Sequence, residues 1–368
     1  MSRPGNRLAL VAIAATVQLA ASVSFAQDAP RACVSSAAAS LVPTNRFTAV
    51  SAVMTAPDTL WVLYSDHDAR NIDAVSLLEV RHIGHAQSVE VQTHEVGEGA
   101  VTQGSLAVVG NNIVGAFVRN DHHVGVFSYP VNGGTMQHIA LDAPQPPVSL
   151  SVAAVGNNAI VTWDDNGRGL RHARIDSNAA LVGTVTALRG RYGSPVASGA
   201  FDGTIALQNA GRIAVLPHGA ARPVGARGAA SIAGAAFPST ASSNNHAYVL
   251  FTARGSAHLT VVNSAAGAGR DRVLGVASPA SETALAGMNW GTYAAWIRNG
   301  SVQVVPVGAD GAPVSPAFEV TDPAVPERAR TPAIAASSQM AAVVWWGVPD
   351  RRPARSAGTV RFVRLDCH

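Results

Sequence analysis

Ser151-Val-Ala-Ala-Val-Gly-Asn-Asn-Ala-Ile-Val-Thr-Trp-Asp-Asp-Asn-Gly-Arg-Gly-Leu-Arg-His-Ala-Arg-Ile-Asp176 contains the repeating pattern of this chain in its clearest form. Three apolar segments, 151–156, 159–163 and 169–176, are separated by Asn157-Asn158 and by Asp164-Asp-Asn-Gly167, and a fourth segment, 180–188, follows. Asn and Gly tolerate positive φ, so the separators are hairpin turns and the stretch is four antiparallel strands. The same grammar appears upstream in Ser105–Gly110, Asn111-Asn112 and Ile113–Phe117, and downstream in Thr283–Met288, Asn289-Trp-Gly291 and Thr292–Trp296. The second-strand burst recurs as Leu60–Tyr64, Ile113–Phe117, Ala159–Trp163, Thr204–Gln208, Ala247–Phe251, Thr292–Trp296 and Ala342–Trp346, spaced 43 to 53 residues apart. Short strands repeated at that period predict an all-β fold, a seven-bladed β-propeller. Six blades with an irregular segment is the alternative, because 220–225 and 271–276 are weak outer strands.

The last copy ends after its third strand, Thr359–Asp366, and lacks an outer one. Ala32–Val42 precedes the first copy and has no other assignment, so it is expected to supply that strand, antiparallel to 359–366. Cys33 then lies beside Cys367, and a disulfide between them closes the ring. The chain-entropy argument puts such a cross-link at about 5 kcal/mol, an upper figure for so long a loop.

Arg3 and Arg7 ahead of an apolar run from Leu8 to Ala21, with Ser24-Phe-Ala26 after it, form a secretory signal peptide over residues 1–26. Residues 27–368 are expected to be one exported domain, secreted or periplasmic, and a monomer. No other apolar run approaches the roughly 18 residues a membrane span needs. All 26 basic residues are arginine, set against 23 acids. Once the leader is set aside the balance is close to neutral, which gives no one-signed field for nucleic acid. The missing lysine removes Schiff-base and P-loop chemistry.

Propeller ligands are expected where the second-to-third strand turns meet the fourth-to-first connections. Those turns carry Arg70, Arg119, His122, Asp164, Arg168, Arg254, Arg298 and Arg351, and the connections add Arg46, Arg189, Arg191, Arg227, Arg328 and Arg330. The planar fork of arginine pairs with carboxylates and phosphates, so an acidic carbohydrate is one ligand class. The plain alternative is solvated turns that use arginine because the chain has no lysine. Asp66-His67-Asp68 and Asp121-His122-His123 could bridge a metal, though such loops are more often only solvated, and neither a metal nor a cofactor is expected. No Gly-x-Ser-x-Gly elbow supports serine catalysis.

The recurring turn, burst ending in an aromatic, and third strand such as Leu170–Asp176 resemble exported bacterial β-propellers of the broad sialidase-like type. The resemblance implies a propeller fold and, as one possibility, a carbohydrate-active enzyme. No copy carries the Ser-x-Asp-x-Gly-x-Thr-Trp box, so sialidase catalytic residues have no positions here. Trp163-Asp164 does not recur, and neither does Gly133-Gly134, so WD40 and Kelch patterns do not fit. The expected function is a non-catalytic binding or interaction scaffold for an acidic carbohydrate or an envelope protein. The alternative is a glycosidase or polysaccharide lyase acting on acidic sugars at the arginine-bearing face.

Overall fold

The computed structural model describes residues 33–367 apart from 68–71, 85–88, 167, 201–202, 226–231, 244–245, 263–268, 280, 322–326, 339 and 351–356. The leader segment and the candidates Arg70 and Arg351 lie outside these residues. Strands β1 (Cys33–Ser35) and β2 (Ala39–Thr44) come first. A run of four follows: β3 (Ser51–Ala56), β4 (Thr59–His67), β5 (Asp73–Arg81) and β6 (Glu90–Ala100). The second run is β7 (Leu106–Val109), β8 (Asn112–Arg119), β9 (Val124–Pro130) and β10 (Gln137–Leu141). The third is β11 (Leu150–Val155), β12 (Asn158–Asp164), β13 (Gly169–Asp176) and β14 (Leu181–Arg189). The fourth is β15 (Tyr192–Ser198), β16 (Thr204–Asn209), β17 (Arg212–Leu216) and β18 (Val224–Gly225). The fifth is β19 (Ala236–Ser243), β20 (His246–Ala253), β21 (Ser256–Val262) and β22 (Gly269–Val276). The sixth is β23 (Thr283–Met288), β24 (Gly291–Arg298), β25 (Ser301–Gly308) and β26 (Phe318–Glu319). The last strands are β27 (Glu327–Ala336), β28 (Ala341–Pro349) and β29 (Gly358–Cys367).

Hydrogen bonding groups these strands into six antiparallel sheets, the first two runs sharing one sheet through Gly99 and Ala100 of β6 against β8. The N-terminal strands pair with β29: Cys33 with Cys367, and Pro43 with Thr359. A disulfide joins Cys33 to Cys367 across 334 residues of chain. The outer strand expected at 271–276 is a full eight residues, 269–276, whereas that expected at 220–225 shrinks to two.

Each first strand packs on the next, from β3 through β7, β11, β15, β19 and β23 to β27, and β27 lies against β3. Small side chains such as Ala52, Ala107, Ala153 and Ala286 let these strands approach closely. Hydroxyls then join one run to the next: Thr102 Oγ1 donates to the Leu150 carbonyl at 2.7 Å, and Thr283 Oγ1 donates to that of Phe237 at 2.7 Å. Between runs the second and third strands bury Val, Leu and aromatic side chains, with Trp61, Trp163, Trp296, Trp345 and Trp346 almost wholly enclosed. Burying such a side chain stabilises by roughly 1.5–3 kcal/mol, so each interface carries most of the cohesion of its run.

Candidate functional site

Because the strands alternate in direction, the second-to-third turns and the fourth-to-first connections share one face. Several of these turns are set by local chemistry. Arg254-Gly255 and Asn299-Gly300 have φ of 51° and 77°, and 53° and 86°, the two left-handed residues of a type I′ hairpin. That turn matches the twist of its strands and leaves Arg254 exposed at the corner.

The sequence candidates are spread over separate turns of this face, with Arg119 and His122 sharing one turn and Asp164 and Arg168 another, and the His122 backbone N–H donates to the Arg119 carbonyl at 2.9 Å. Arg119 ends β8 exposed and reaches Asp121 at 2.9 Å. His122 occupies the adjoining turn with φ of 69°. Arg168 is exposed in the turn after β12, and Arg298 closes β24 exposed. Asp164 differs from the arginines. It is buried, and its Oδ1 accepts from the backbone N–H groups of Val148 at 2.7 Å and Ser149 at 3.1 Å. Desolvation raises the pKa of its carboxyl, opposed by those backbone donors. The carboxylate therefore holds the connection ahead of β11 in place and is turned away from solvent.

Two clefts open at equivalent places on the face. The first, about 430 Å³, lies between the connection before β3, the end of β4 and the connection before β7, and includes Arg46, Phe47, Ser65 and His67. There Arg46 Nη1 meets Asp73 Oδ1 at 2.6 Å and His67 Nε2 at 3.0 Å, while His67 Nδ1 lies 3.3 Å from the same Asp73 oxygen. Asp66 is taken up by the Asn45 backbone N–H at 2.8 Å. The second cleft, about 490 Å³, is framed by Ser278, Asn299, Gly300, Arg328 and Arg330. Arg328 Nε is bonded to Asp350 at 3.0 Å. An axial cavity of about 370 Å³ is lined by the first strands, where Gln103 Nε2 donates to the Pro332 carbonyl at 2.9 Å.

Sequence reading named Arg46, His67, Arg328 and Arg330 but did not foresee which would meet. Asp73 was missed altogether. The available signal was position: Asp73 opens the third strand as His67 closes the second, and the two pair across the strands. The carboxylates Asp66, Asp73, Asp121, Asp164 and Asp350 are each engaged, whereas Asp165 Oδ1 and Glu282 Oε2 are buried with no hydrogen-bond partner among the described residues.

Structural likeness adds the fold. The endosialidase of phage phi92 superposes with a TM-score of 0.56 at 9% identity, over 91% of this chain and 69% of that one. The β-propeller domain of the trilobed protease from Pyrococcus furiosus gives 0.50 at 9% identity, over 85% and 94%. No protein-family model matches the chain, and no curated protein matches it in sequence. The protein is thus an all-β chain with the β-propeller fold, its two ends joined by a disulfide. Among the described residues no helix is long and apolar enough to cross a membrane.

Proposed function

We propose that residues 27–368 form a single exported, monomeric, seven-bladed propeller that works as a non-catalytic binding scaffold, with the turn face as its contact surface. The strand runs and the succession of first strands from β3 to β27 and back support seven blades in a closed ring. The terminal disulfide supports an oxidising compartment, secreted or periplasmic. One observation carries the binding reading: Asp66, Asp73, Asp121, Asp164 and Asp350 are held by backbone N–H groups or arginines while Arg168, Arg254 and Arg298 stand exposed on the same face. Acid–base hydrolysis of a glycoside needs two carboxyl groups roughly 5 to 9 Å apart in one open pocket. The partner is an acidic carbohydrate or an acidic patch of an envelope or extracellular protein.

The test is a screen of anionic oligosaccharides against the mature chain, repeated after Arg119→Ala, Arg168→Ala and Arg298→Ala. Specific binding that the triple variant loses supports the scaffold reading. Cleavage of a bound oligosaccharide would overturn it in favour of a carbohydrate-active enzyme.

A further inference from the structure

Three of the first strands approach the axis in the same way. Gly193-Ser194-Pro195, Ala236-Phe237-Pro238 and Arg330-Thr331-Pro332 lie at corresponding places in β15, β19 and β27. At each the register with the second strand slips, between Gly193 and Val196, Ala236 and Ser239, and Arg330 and Ala333. Ser194, Phe237 and Thr331 have φ of 47°, 51° and 46°. That region is sparsely populated for a residue with a Cβ, and a following proline pushes its neighbour toward extended backbone instead. Such conformations persist only where the surroundings over-determine them, and they gather at ligand sites. Here the surroundings are the turn-face mouth of the axial cavity, whose lining includes Val196, Pro238 and Pro332.

No Asp, Glu, Arg or His is among the described residues of that lining, on a face otherwise rich in arginine. Its hydroxyls are spent on the framework. Ser51 Oγ accepts from the Leu106 N–H at 3.1 Å, Thr283 Oγ1 donates to the Phe237 carbonyl at 2.7 Å, and Thr240 Oγ1 donates to that of Ala197. Ser239 Oγ lies 2.9 Å from Thr283 Oγ1. Most of the remaining wall is aliphatic, with Val108, Val196 and Leu285 partly exposed in it. Gln103 is the exception. Its Nε2 reaches past β3, which lies between β7 and β27 in the succession of first strands, to the Pro332 carbonyl. The amide is thus pinned at the mouth, and its Oε1 has no partner among the described residues.

We propose that the axial cavity binds a small uncharged molecule, largely hydrocarbon, whose hydroxyl donates to Gln103 Oε1. At about 370 Å³ the cavity stands at the small end of ligand pockets, which run from roughly 300 to 1,000 Å³. An ion would give up its hydration with no opposite charge to meet it, whereas apolar surface gains by leaving water. Water gains few hydrogen bonds from a wall whose hydroxyls are already bonded. None of the exposed arginines lines the cavity, so this site stands apart from the anion-binding reading of the turn face.

The test uses the full mature chain and four probes: hexan-1-ol and cyclohexanol, with hexanoate and hexylammonium as charged counterparts. Calorimetry is expected to show saturable binding of the alcohols and at least about tenfold weaker binding of either ion. Methyl NMR shifts of Val108 and Leu285 should move along the alcohol titration, while those of Val182 and Val185 on β14 stay fixed. Leu285→Trp and Val108→Phe fill the cavity from different strands, and each should weaken the alcohols about tenfold or more. Gln103→Leu keeps the volume and removes the acceptor, for a loss of about threefold to tenfold. Arg119→Ala should change nothing here, even if it abolishes binding of anionic oligosaccharides. The proposal is overturned if neither alcohol saturates, if either ion binds as tightly as the alcohols, or if the titration leaves the Val108 and Leu285 methyl shifts unmoved.

Discussion

Trp346 donates its indole N–H to the hydroxyl of Thr44 at 2.9 Å, joining residues 302 apart in sequence. The contact ties the second strand of the last run to the strand entering the first. Thr331 Oγ1 adds a bond to the Thr48 carbonyl at 3.2 Å, and the Cys33–Cys367 disulfide fixes the outer edge of the same sheet. Opening the ends of the chain must break all three. Cys33→Ser is therefore expected to lower the melting temperature by several degrees and to expose residues near β1 to protease, since the entropic contribution of so long a loop is up to about 5 kcal/mol. Equal melting of variant and parent, or two free thiols by mass in exported protein, would refute the assignment.

Asp164 tests whether that carboxylate is structural. Asp164→Ala leaves the Val148 and Ser149 N–H groups without their acceptor, a loss of about 1–3 kcal/mol. Asp164→Asn keeps an oxygen in place and removes a charge that burial disfavours, so it should melt within about 1 kcal/mol of the parent. The folded pKa is raised, so the stability deficit from ionisation appears as pH rises from the unfolded value through the folded one. Denaturant melts of both variants settle the point, and equal losses would show that the charge itself matters.

Arg119 and Asp121 form an ion pair in which both partners are more than two-fifths exposed. Solvent screens such a pair, and its contribution is about 0–1 kcal/mol. Arg119→Ala should accordingly leave thermal stability within about a degree of the parent. A drop of several degrees would mean that this arginine serves the fold, and it would remove the residue from the binding surface.

Most of the architecture was legible because the repeat writes its turns in Asn and Gly and its bursts in apolar residues. Asn299-Gly300 is the turn expected from sequence, whereas the turn expected at Asn111-Asn112 falls one residue earlier, at Gly110-Asn111, with Asn112 opening β8. The terminal strand pairing was legible because a run lacking its outer strand and a leftover segment bearing Cys33 answer one another. The site was less so. Arginines spread one per turn look like a cluster in sequence, yet the turns hold them apart around the face. His172 was overlooked because alternation along Leu170–Asp176 fits any half-buried strand. Only the strand register shows that His172 stands opposite Thr162 where the other runs place Leu77, Val126, Val215, Leu259, Val304 or Phe362. The two-residue β18 is equally hidden, since Val224-Gly225 differs little in composition from a full outer strand.

His172 leaves a mark on stability through its own titration. Its folded pKa lies below the ordinary histidine value, so the unfolded chain binds the proton more readily. The neutral side chain contributes fully above about pH 6.5, and stability falls as pH drops from there through the lower folded value. Other histidines titrate in the same window, so the difference between parent and variant is the quantity to read. In a buffer free of multivalent anions, the parent should lose more stability than His172→Leu between about pH 7 and about pH 5. Parallel pH profiles for the two proteins would mean that His172 is solvated in the folded chain.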